Sequence, residues 1–126
     1  PALLPVVNCG FPELQHTTLA VEIAALAAQR AGMDWAGHLA LGGGGMIDGR
    51  ALDSLGGRVH AQIEALDAAA DALDAGRPIP QSVADRFADA PISDALYRLA
   101  GQAGWLVAAA EHGALTDLWK RPFDEG

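Results

Sequence analysis

Basic residues are scarce in this chain of 126 residues: eight Lys and Arg stand against sixteen Asp and Glu, giving a formal net charge of −8. The eight, from Arg30 through Arg50, Arg58, Arg77, Arg86 and Arg98 to Lys120 and Arg121, are scattered rather than grouped. Nucleic-acid binding needs cations gathered along one face, so the composition argues against such a partner. Cysteine occurs once, at Cys9, which rules out an internal disulfide and fits a reducing compartment. Aromatic residues make up only 6%, too few for a typical all-β sandwich, while alanine and leucine dominate and favour helices. No apolar run approaches the roughly 20 residues that span a bilayer. No basic, apolar, small-residue leader opens the chain either. The expectation is a soluble, cytoplasmic protein with no membrane partner. Histidines 16, 38, 60 and 112 are too far apart for a ligand pair one helical turn apart, so no metal site is expected.

What is present reads as α/β. Half the residues are apolar and 19% are charged, the balance of a folded domain rather than a disordered segment. Residues 3–8 form a short apolar run without polar alternation, as expected of a strand covered on both faces. Pro5 within it argues for an edge position or a start nearer Pro5. Thr17 or Thr18 can cap a helix, in which Leu19, Ile23, Leu26 and Ala27 recur at helical spacing and Gly32 marks the end. A second strand is expected over 35–41, followed by four glycines at 42–45. Asp53 or Ser54 then starts a long helix with an inner face of Val59, Ile63, Leu66, Ala70 and Leu73. Gly76 ends it, and Pro78 and Pro80 prevent continuation. The tail, residues 81–126, reads as short helices divided by Pro91, Gly104 and Gly113.

Strand, helix, strand makes a parallel unit, and two parallel strands are too few for a stable sheet. Each would leave an unpaired edge and an apolar face. The remaining strands must come from an upstream half of the protein or from a second copy. The chain opens on Pro1 with a strand-like run almost at once, which is the expectation for a fragment or a processed product.

The segments LPVVNCGFPE, AGMDWAGHLALGGGGMI and ALDAGRPIP, taken in order, resemble the later half of flavodoxin-like NAD(P)H-dependent FMN reductases. The resemblance covers residues 3 to about 80, and LYRLAGQAGW with KRPF resembles the same group's C-terminal extension. It implies a partial three-layer α/β/α arrangement over 1–80, with residues 3–8 as the fourth parallel strand and 35–41 as the fifth. A helical extension follows over 81–126. It also implies FMN beyond the carboxyl ends of the strands, NAD(P)H as hydride donor, and dimerisation through helices near the flavin. The cofactor-binding residues on that reading are Asn8, Cys9, Gly10, Phe11 and Glu13, with Gly43 and Gly44 on the second strand's loop, acting as binding rather than acid–base groups. The family's first strand and its phosphate-binding turn at a helix N-terminus have no counterpart here, so the chain alone is not expected to hold FMN tightly.

Other readings compete at the same residues. The glycines at 42–45 lack the lysine and hydroxyl of a P-loop and the spacing of a dinucleotide fingerprint. They read as a flexible turn or as a point of close approach to a ligand. Cys9, with Glu13 and His16 nearby, admits a Cys-dependent hydrolase, although a small buried hydrophobe is the commoner role of such a cysteine. Glu13 reads as an exposed loop carboxylate or as a group that orients a cofactor. Tyr97, Trp105, Trp119 and Phe123 give the tail aromatic mass for packing or dimerisation. A non-catalytic self-association module is the alternative of a different class.

Overall fold

The computed structural model describes residues 1–47 and 49–120. Two compact units divide the chain, the first comprising Pro1–Ile92 and the second beginning at Ser93. The first is mixed α/β. Its strands are β1 (Ala2–Leu3), β2 (Val6–Asn8), β3 (Asp34–Trp35) and β4 (Leu39–Leu41). Its helices are α1 (Thr18–Arg30), α2 (His60–Asp74) and α3 (Gln81–Ala88).

The four short strands are two chain segments paired twice. β1 runs parallel to β3, and β2 runs parallel to β4. Between Leu3↔Trp35 and Val6↔Leu39, residues 4 and 5 lie opposite residues 36, 37 and 38, so the second segment carries one extra residue, a bulge. Chemistry on both sides explains it. Pro5 has no N–H to give, although its carbonyl still accepts from Leu39 N at 3.0 Å. Opposite it, Gly37 takes φ +103°, and a Cβ there would strike Ile79. Each single expected strand, 3–8 and 35–41, is therefore two short strands flanking an interruption.

Backbone alternation decides which edge is open. Pro1, Leu3 and Pro5 accept from Asp34, Ala36 and Leu39, and Cys9 N donates to Leu41 O at 3.1 Å. The odd-numbered residues thus face the partner, and the backbones of Ala2, Leu4, Val6 and Asn8 face away from it. Among the described residues no strand pairs with that side. β4, by contrast, is wholly buried, with α3 packed against it.

The core joins Leu39 and Leu41 to Ala65, Ala69 and Ala72 of α2, then to Ile79, Ala84 and Phe87. That corrects the expected inner face of α2. Val59 is buried, but Ile63 and Leu66 are only half-buried, and Ala70 and Leu73 are exposed. Small alanines let α2 approach closely, and the larger aliphatics flank that line. The expected start at Asp53 or Ser54 is corrected too: 3₁₀ turns cover Leu52–Val59, broken where Gly56 takes φ 65° and ψ −153°, and the α-helix begins at His60. In α1 the spacing held, yet Leu19, Ile23 and Leu26 are exposed and Ala28 is the buried residue. Neither threonine caps it with its side chain; Thr17 Oγ1 instead donates to Leu14 O at 2.7 Å within the preceding 3₁₀ turn. Gly32 and Gly76 do sit past the ends of their helices at φ +65° and +67°.

The second unit contains α4 (Asp94–Glu111), capped by Ser93 and followed by Gly113 at φ 67°. It runs unbroken through Gly104, contrary to the expected division there. Two glycines cost a helix of 18 residues about 1 kcal/mol each, which its remaining Ala and Leu positions offset. Tyr97 is half-buried, whereas Trp105 and Trp119 are largely exposed. Phe123 lies outside the described residues.

Candidate functional site

β2 and β4 end at the same place, and there the loops lock together. Gly43 N donates to Phe11 O and Gly44 N to Cys9 O, each at 2.7 Å. Loop 9–12 and glycine loop 42–45 therefore form one surface at the carboxyl ends of β2 and β4. Glycine is required by this closeness. A Cβ on Gly42 would overlap the Pro12 carbonyl oxygen, and one on Gly44 would come within 2.8 Å of Asn8 Oδ1. Gly43 itself is left-handed at φ 71°. The expectation for these glycines is a flexible turn or close approach to a ligand; the group that approaches them in the structure is the backbone of loop 9–12.

The expected site residues are brought together, with unequal freedom to act. Asn8 is exposed at the end of β2 and lies against Gly44. Gly10 is exposed, and Phe11 presents its ring to solvent at 65% exposure. Phe11 also tilts against the His16 ring, with centroids 5.3 Å apart. Glu13 is half-buried; its carbonyl accepts from His16 N at 3.2 Å, and its carboxylate lies 4.0 Å from His16 Nε2. The amides of Cys9, Gly43 and Gly44 are already given to carbonyls, so those three cannot cradle a phosphate.

Cys9 is half-buried, and its Sγ donates to Phe11 O at 3.2 Å, with Glu13 O at 3.7 Å. Its partners are carbonyls of its own loop rather than the imidazole a thiol protease or hydrolase requires. The sulfur organises the loop. Among the described residues no group of three or more His, Cys, Asp or Glu side chains could hold a metal ion.

Gln62 was not apparent from sequence. It is a polar residue on the buried face of α2, 1% exposed. Its Nε2 donates to Phe87 O at 3.1 Å and to Asp89 O at 2.5 Å, so a side chain from α2 satisfies carbonyls at the C-terminal end of α3. The signal was available in the alanines, since Gln62 precedes Ala65, Ala69 and Ala72 by three, seven and ten residues. That places it on their stripe.

The arrangement is that of a mixed α/β protein with loops gathered at the carboxyl ends of parallel strands. Comparison with protein-family models, with curated proteins and with solved structures finds no match for this chain. No helix among the described residues is long and apolar enough to cross a membrane.

Proposed function

We propose that the chain supplies strand-end loops to a flavin-dependent NAD(P)H oxidoreductase of flavodoxin-like architecture, the rest of whose sheet joins at the open edge of β2. The observation that carries this reading is the surface at the carboxyl ends of β2 and β4, where Asn8 and the exposed Phe11 ring stand together. Open parallel sheets bind ligands at that end. These residues fit a flavin ring better than its phosphate: a flat apolar face and a carboxamide are at hand. Neither loop, 8–13 or 42–46, contains an arginine or lysine. FMN, when bound, takes a hydride from NAD(P)H and passes the electrons to an acceptor. Phe11 would cover the ring from water, and the Asn8 carboxamide would meet its polar edge. Titration of FMN into the chain should quench flavin fluorescence only at high protein concentration, with a Kd of ~100 µM or weaker. Phe11→Ala should then weaken binding about three- to tenfold. Absence of any quenching, or equal binding by the variant, would count against the reading.

A second reading, a self-association module, has its own observation. The open β2 edge and the exposed Leu19–Ile23–Leu26 stripe of α1 leave backbone and apolar groups without a partner among the described residues. Sedimentation velocity should then show mass rising above 13.0 kDa with concentration. A single 13-kDa species throughout would rule this out.

A further inference from the structure

Helix α4 is exposed along most of its length, and its large aliphatic side chains fall on one line. Leu96, Leu99, Ala103, Leu106 and Ala110 follow at steps of three, four, three and four residues. That is the heptad spacing that keeps a stripe facing a second helix. Exposure along it runs from 48% at Leu106 to 66% at Leu99, and Val107 beside it is exposed too. Gly101, Gly104 and Trp105 fall on the opposite side of the helix. Helices in proteins draw most of their stability from packing an apolar face, and this one is further weakened by its two glycines. Among the described residues none covers the stripe.

We propose that the stripe is covered by the same helix of a second copy, lying antiparallel to it about a two-fold axis between Gly104 and Trp105. Side-chain size decides the direction. In a parallel pair each residue would meet itself, so leucine would crowd leucine while Ala103 and Ala110 faced their own copies across a gap. About the antiparallel axis Leu99 meets the second copy's Ala110, and Leu106 meets its Ala103. Every layer then holds one large and one small side chain. The match is of the helix to itself, as a two-fold contact requires. Antiparallel helices also set opposed dipoles side by side. The charged residues of α4, Asp94, Arg98 and Glu111, lie off the stripe. One cation to two anions gives no basic face to seat the helix on an anionic membrane. The proposal deepens the association reading by naming a surface for it, and it does not use the flavin.

A contact along one helix ~27 Å long lies at the small end of specific interfaces, so a Kd of ~10–100 µM is expected. Sedimentation velocity of the 126-residue chain should show mainly monomer at ~1 µM and mainly dimer at ~500 µM. Leu106→Glu brings two carboxylates into the seam and should raise the Kd at least tenfold. Its circular dichroism at low concentration should match the parent's, because Leu106 is exposed in the single chain. Direction is read by disulfide trapping in a Cys9→Ser background. Leu99→Cys and Ala110→Cys chains oxidised separately should stay uncrosslinked, since each position lies ~16 Å along the axis from its own copy. Mixed, they should give a dimer bridged between residues 99 and 110. Cross-linked dimers from either chain alone mean parallel helices, and no bridged dimer from the mixture means no contact at this stripe; both overturn the proposal. Undiminished association of Leu106→Glu overturns it as well, while leaving association through other surfaces standing. A parent chain that stays monomeric at both concentrations removes the proposal and the association reading together.

Discussion

Gly42→Ala is expected to destabilise the first unit by roughly 2–4 kcal/mol and to lower its melting temperature by ~10–20 °C. The added Cβ would overlap the Pro12 carbonyl oxygen, which is backbone and cannot turn aside as a side chain would. Pro12 is not free to retreat either. Its neighbour Phe11 holds Gly43 N, Cys9 holds Gly44 N, and Cys9 N is bound to Leu41 O. Relief of the clash must therefore break hydrogen bonds that join two loops. Each broken bond leaves polar groups to be satisfied at a further cost of about 1 kcal/mol. Gly10→Ala is the control on the same surface. Nothing lies within 4 Å of a Cβ there, and its φ is not left-handed, so the change should stay within about 0.5 kcal/mol of neutral. Thermal melts followed by circular dichroism separate the two. If Gly42→Ala melts with the parent, the loops are not joined as described.

The same glycines show what sequence could reveal and what it could not. A run of four after a strand reads as a flexible turn or as close approach to a ligand; what is found is a left-handed backbone at Gly43 and close approach to another loop. The run does not announce the partner, because the Pro12 carbonyl reaches Gly42 only after β2 and β4 have paired. Helix α1 was legible from Leu19, Ile23 and Leu26 and from Gly32. The face it turns inward was not, because size was read as burial. At a close helix–sheet contact the small side chain lies nearest, so Ala28 is buried and the large aliphatics remain outside. In α2 the same preference for size hid the stripe of Ala65, Ala69 and Ala72, and with it Gln62. Pro5 reads as an edge position or a strand start nearer to it; β2 does begin at Val6, and no described strand pairs with its far side, but that reading does not include the bulge opposite Pro5. The shortage of strands, inferred from counting apolar runs, has its structural counterpart in the unpaired side of β2. The breaks expected in the tail failed at Gly104 because a glycine weakens a helix without clashing with it, unlike the proline at Pro91, where α4 has not yet begun.

Leu39→Ala and Leu19→Ala delete the same atoms from opposite environments, and the pair tests what covers this protein in solution. Leu39 is 0% exposed in β4, within the cluster formed with α2 and α3. Its truncation should cost about 3–5 kcal/mol, the lost transfer energy plus the cavity left behind. For a unit of this size total stability is roughly 5–14 kcal/mol, so about a fifth or more of it goes, and a marginal unit unfolds. Leu19 is 66% exposed on α1, and there the same change should move stability by less than about 0.5 kcal/mol. Urea titrations at two protein concentrations tenfold or more apart give both values. Should Leu19→Ala cost as much as a core truncation, and only at the higher concentration, the α1 stripe is buried between copies and the association reading gains over the flavin reading. A small Leu19 effect at both concentrations leaves that stripe in water. Among the described residues the open edge of β2 would then remain a candidate for association, because unpaired peptide groups, unlike a few exposed leucines, template further strands.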